Sequence, residues 1–121
     1  MHIRADQMKA FRVEARLAFV CRLCDHLHDR VPDYLAGLDP ETALAHVDDL
    51  VSRAEELGFR SRNQIRRFAV IEAAASGRAG ETSPAWLAEI ANRPRSSAPL
   101  RLLALEDALI HIGRTQRGNT P

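Results

Sequence analysis

The stretch from Asp39 to Ala75 constrains the fold more than any other part of the chain, because it carries the start and stop signals of two consecutive helices. Asp39 followed by Pro40 is an N-cap with proline at the first helical position, where the missing amide hydrogen removes no helical bond. Leu57-Gly58-Phe59 then supplies a glycine able to take the left-handed conformation that closes a helix. Ser61-Arg62-Asn63-Gln64 is a capping box, in which serine and glutamine side chains satisfy two orphan backbone amides reciprocally. Between these signals Leu44, Val47, Val51, Ala54 and Leu57 recur at helical spacing, and so do Ile65, Phe68, Ala69, Ile71 and Ala75.

The flanking segments read the same way. Residues 5 to 30 form the longest helical pattern, with Met8, Phe11, Ala15 and Ala18 as one apolar line continued by Val20, Cys24, Leu27 and Val31. About 25 residues at 1.5 Å each span roughly 38 Å, enough to serve as the spine of the domain. Pro32 ends that helix, and Tyr34 and Leu35 are placed to fold back on the core. Ser83-Pro84 opens a short fourth helix with Trp86, Leu87 and Ile90 as its inner side, and Asn92-Arg93-Pro94 stops it. Ser97 or Ala98 begins a fifth, in which Leu102, Leu105, Leu109 and Ile112 share a line. Residues 114–121 read as a flexible tail. No strand pattern or repeat is visible, so the expectation is an all-α, single-domain orthogonal bundle of four to five helices over residues 1–113.

Charge narrows the functional classes. Seventeen basic against sixteen acidic residues leave a net charge of +1, which draws the chain to neither nucleic acid nor an anionic membrane as a whole. Locally the balance is uneven: residues 38 to 58 hold six acids and one arginine, whereas 59 to 80 hold five arginines and one acid. No apolar run approaches the ~20 residues that span a bilayer, and the N-terminus lacks the pattern of a signal peptide, so a cytoplasmic location is expected. Cys21 and Cys24 are expected to be reduced there.

Three constellations carry the candidate chemistry. Cys21, Cys24, His26 and His28 are of zinc-ligand type, but on one continuous helix the four cannot converge, and no second pair exists. His2, His46 and His111 lie apart from any serine or acid pattern that would make a nucleophilic triad. No catalytic residue, metal or cofactor is therefore expected. LGFRSRNQIRRF has the spacing of a helix-turn-helix whose second helix presents Arg62, Asn63, Gln64, Arg66 and Arg67, although the helix before it is acidic. The third constellation is the last helix. Leu103 and Ile110, with Leu100 partly beside them, form a second apolar line that is either a docking patch for a partner or a face buried in the bundle. With Arg62, Arg66 and Arg67 as a polar rim, Leu103 and Ile110 are the candidate protein-binding residues.

These residues also carry a resemblance. Ile3-Arg4 with Gln7-Met8 and Phe11, His26-Leu27 leading to Pro32, Gly37-Leu38, Arg53-Ala54-Glu55 leading to Gly58-Phe59, Ser61 with Ile65 and Arg67-Phe68, and Trp86 with Ile90 follow one order and spacing. In these the chain resembles a family of small helical bacterial proteins encoded beside type VI secretion effector genes. Arg4, the glycine-rich loop after Ala75, the cysteine pair and His28 depart from the family pattern. The resemblance implies a non-enzymatic, cytoplasmic protein that binds a secreted effector or its chaperone, as an adaptor or accessory chaperone. An immunity protein that neutralises a cognate toxin is the alternative within that setting, and a helix-turn-helix DNA-binding protein the alternative outside it.

Overall fold

A computed structural model describes the backbone of residues 5–118 and the side chains of 12–112. It is all-helical among the described residues, in the order α1 (Ala5–Arg30), α2 (Pro40–Glu56), α3 (Arg62–Ser76), α4 (Ala85–Ala91) and α5 (Ala98–Gly118). None of these helices is long and apolar enough to cross a membrane. Residues 1–4 and 119–121 lie outside the described residues, as do the side chains of Met8 and Phe11.

The local signals act where the sequence places them. At the start of α3 the Ser61 hydroxyl accepts from the Gln64 amide at 3.1 Å, and Gln64 Oε1 accepts from the Ser61 amide at 3.4 Å and the Arg60 amide at 3.1 Å. The capping box is thus complete. At the end of α2 the Phe59 amide donates to the Ala54 carbonyl and the Gly58 amide to the Glu55 carbonyl, both at 3.0 Å. That pair of bonds is a Schellman closure, and it requires the positive φ of 94° that Gly58 adopts. Asp39 stands at the N-cap of α2 in extended conformation, but its side chain makes no capping bond, so Pro40 and the backbone set that end.

The hub of the bundle is α3. It packs on α1, α2 and α5, whereas α1 packs mainly on α2 and α3 among the described residues. The expected role of α1 as the spine therefore passes to the shorter helix. The reason lies in its two-sided apolar surface: Ile65, Phe68 and Ile71 are buried together with Ala69 and Ala73, whose small side chains let neighbours approach from more than one side. Phe59 and Phe68 stack with ring centroids 5.2 Å apart at the centre. On α1 the inward line is Phe19, Val20, Leu23, Cys24 and Leu27, while Ala18, Val13 and Leu17 face out. Tyr34 and Leu35 fold back into the core as expected, and the Tyr34 carbonyl accepts from the Ala79 amide at 2.8 Å. Trp86, Leu109 and Ile112 are half-buried and sit at the rim of that core. Helix α5 continues through Gly113 to Gly118 where a tail was expected from residue 114, since a single glycine costs a helix only ~1 kcal/mol.

One side chain joins the last two helices to the end of α2. Arg101 of α5 donates from Nη1 to the Leu57 carbonyl at the end of α2 (2.7 Å) and to the Ala91 carbonyl at the end of α4 (2.6 Å). Its Nε donates to the Ser96 carbonyl at 3.1 Å, and its guanidinium lies 5.0 Å from the Phe59 ring centroid. A cation placed against two helix C-termini satisfies orphan carbonyls and complements both dipoles.

A second tie joins α2 to α3 through a carboxylate buried at one end of an ion pair. Glu72, the one acid of α3, is 2% exposed, is bonded to Arg53 of α2 and accepts from Ser83 Oγ at 2.9 Å. Its Oε2 has no hydrogen-bond partner among the described residues. Burial pushes the neighbouring Tyr34 phenol up from its ordinary pKa, and the Glu72 charge adds to the shift.

Two stability outcomes follow. Ser61→Ala is expected to lower unfolding free energy by about 0.5 to 2 kcal/mol in chemical denaturation; an unchanged midpoint would mean the capping box does not stabilise α3. Arg101→Met, which keeps the stem and removes the donors, is expected to cost about 2 to 4 kcal/mol, and a loss under about 0.5 would refute the clamp.

Candidate functional site

The capping box sets the phase of α3 and thereby the direction of its arginines. Arg62 and Arg66 stand one turn apart and face α1, and Arg67 is turned toward α5. On α1, Arg22 and His26 are likewise one turn apart and face α3. Phe19, Leu23 and these four basic residues line a cleft of about 410 Å³. The Arg62 guanidinium lies 5.8 Å from the Phe19 ring centroid, which holds it in place over an apolar surface.

His26 and Arg66 also line a second cavity, of about 310 Å³, whose other walls include Arg67, Val70, Leu109 and Ile110. Arg67 is bonded to Glu106 of α5 across its edge. That bond raises the Arg67 pKa further above its ordinary value, with desolvation opposing it. Three of the sequence-derived site residues, Arg66, Arg67 and Ile110, therefore meet at one cavity, and Arg62 joins through the adjoining cleft. Leu103 does not line either space. It stands two turns from Ile110 on the outer side of α5, and with Leu100 the three are 58%, 54% and 60% exposed. The reading in which this line runs through the middle of the bundle is thereby corrected: Leu102 and Leu105 occupy the inner side of α5, and Leu103 points away from them.

The acidic helix is not the partner of the α3 arginines. Its acids are engaged elsewhere: Arg16 of α1 reaches Asp48 at 2.9 Å and Glu55 at 2.8 Å, and Arg53 lies 3.2 Å from Asp49 while holding Glu72. Among the described residues no carboxylate lies within ion-pair distance of Arg22, Arg62 or Arg66. Arg22 escaped the sequence reading, and His26 was singled out there for its ligand type beside the cysteines, not as part of a basic cleft. The clue was the i, i+4 spacing of two basic residues beside Phe19.

The cysteine and histidine group is spread out by the continuous turn of α1. Cys24 is buried, Cys21 and His28 are exposed, and His26 is half-buried in the basic cleft. Burial pushes the Cys24 thiol pKa up, with Asp25 adding to it, which disfavours the thiolate that metal binding needs. Among the described residues no group of three or more His, Cys, Asp or Glu side chains is placed to hold a metal ion.

Comparison with family models, with curated proteins and with solved structures finds no match to this chain. The site thus rests on its own geometry. Because Leu103 is solvated, Leu103→Glu is expected to leave the urea midpoint within about 0.5 kcal/mol of the parent and the helical circular dichroism unchanged; unfolding would return this residue to the core.

Proposed function

We propose that the chain is a non-enzymatic protein-binding module whose docking surface is the outer line of α5. The observation that carries this reading is the exposure of Leu100, Leu103 and Ile110, three large apolar side chains more than half solvated on one helix. Placing such side chains against a partner removes apolar area from water, at about 25 cal/mol per Å². Arg62, Arg66 and Arg67 form the polar rim, which selects an acidic partner surface and orients it. The type of partner follows from the sequence resemblance: a type VI secretion effector or its dedicated chaperone, with this chain as adaptor or accessory chaperone.

The test is co-expression and co-purification with candidate type VI secretion effectors and their chaperones. The parent chain is expected to capture one of them and Leu103→Glu to lose capture at least tenfold, which corresponds to about 1.4 kcal/mol, while keeping its helicity. Undiminished capture by a folded Leu103→Glu chain would remove the α5 line from the interface. The affinity is also expected to change little as salt rises, because the interface centre is apolar; a steep fall would indicate a phosphate-dominated partner such as DNA.

A further inference from the structure

The cleft between α1 and α3 is electrostatically unlike the other helix interfaces. Where Arg16, Arg53 and Arg67 cross between helices, each ends on a carboxylate, and Arg101 ends on helix carbonyls. In the cleft, Arg22, Arg62 and Arg66 meet with His26 and no acid balances them among the described residues. Like charges lining a concave site with apolar walls raise its positive potential and concentrate counter-anions there. Guanidinium forks match the oxygens of a tetrahedral oxyanion in a bidentate way that an ammonium group does not. The contact of Arg62 with Phe19 places one fork at the wall of the cleft.

His26 and Arg66 line both the cleft and the neighbouring cavity, whose wall is made by Val70, Ile71, Leu109 and Ile110 together with Arg30 and the Arg67–Glu106 pair. An anion held by the arginines would therefore have beside it a space of about 310 Å³ with Val70, Ile71, Leu109 and Ile110 on its apolar side. We propose that the two spaces form one site for a phosphate monoester, its dianionic head on Arg22, Arg62 and Arg66 and its apolar ester group between α3 and α5. This inference stands apart from the protein-binding reading: a chain that captures no effector would still bind the ester, and a chain that binds no ester could still dock through Leu103.

Isothermal titration of the full chain with inorganic phosphate, hexyl phosphate and hexanol tests it. Hexyl phosphate is expected to bind about tenfold or more tightly than inorganic phosphate, the gain from burying about two methylenes, and hexanol to bind far more weakly than either. Arg62→Gln with Arg66→Gln is expected to weaken hexyl phosphate at least about tenfold with unchanged circular dichroism. Ile110→Ser is expected to reduce the hexyl advantage to under about threefold. Should the double variant fail to fold, Arg22→Gln on the other wall carries the same expectation. Vesicles of phosphatidylcholine with and without phosphatidic acid separate the sources. Sedimentation only with phosphatidic acid would assign a lipid headgroup, and binding of hexyl phosphate without sedimentation a free ester. No saturable binding of either phosphate up to about 10 mM, binding unaltered by the arginine substitutions, or equal affinities for the two phosphates would overturn the proposal.

Discussion

The arrangement of this bundle depends on Arg101. Helices α4 and α5 are short of contacts with α2, and α5 otherwise packs on α3 and α4. The guanidinium spans that gap by donating to the carbonyl ends of α2 and α4 at once, 44 residues and 10 residues away in the chain. It also explains why the α2–α3 turn is so tightly specified. A Cβ on Gly58 would lie 3.3 Å from Arg101 Nη2, so glycine there serves both the left-handed closure and the approach of the clamp. With Arg101 in place, Leu102 and Leu105 are driven inward, and the opposite side of α5, bearing Leu103 and Ile110, is left to solvent.

The arginines that lie between helices fall into three groups by what neutralises them. Some close ion pairs between helices, as Arg16 does on Asp48 and Glu55 and Arg53 on Glu72. Arg101 is held by backbone carbonyls and lies against the Phe59 ring. Arg22, Arg62 and Arg66 have neither kind of partner among the described residues and share one cleft. The exposed pairs add little stability individually, because both charges are well hydrated when apart. The buried pair differs: Glu72 is desolvated, so losing Arg53 would leave an uncompensated charge inside the bundle. The functional interest lies with the third group, where no protein group offsets the charge and an external anion can.

The proposed docking line and the basic cleft are neighbours without being one surface. Ile110 belongs to the line on α5 and to the wall of the apolar cavity, and Arg66 joins that cavity to the cleft. A partner seated on Leu103 and Ile110 would therefore approach the entrance where an ester group lies.

The helices themselves were legible in the sequence, because their causes are local. Ser61 and Gln64 are three residues apart, Gly58 follows the helix it closes, and Pro32 interrupts α1 through its own ring. The arginine side of α3 and the second apolar line of α5 were legible for the same reason, as periodicities within one helix. Which arginine meets which acid was not. The acidic helix and the basic helix are adjacent in sequence and opposite in charge, yet α2 pairs with Arg16 from α1, and Arg67 with Glu106 from α5. The burial of Glu72, the clamp of Arg101, and the meeting of Arg22 and His26 with Arg62 and Arg66 are likewise decisions of packing. Sequence alone determined where each helix begins, where most of them end and which faces are apolar, since those depend on residues within a turn or two. Only the tertiary structure decided which apolar face is core and which charges are left unmatched, since both depend on the contacts of residues distant in the chain.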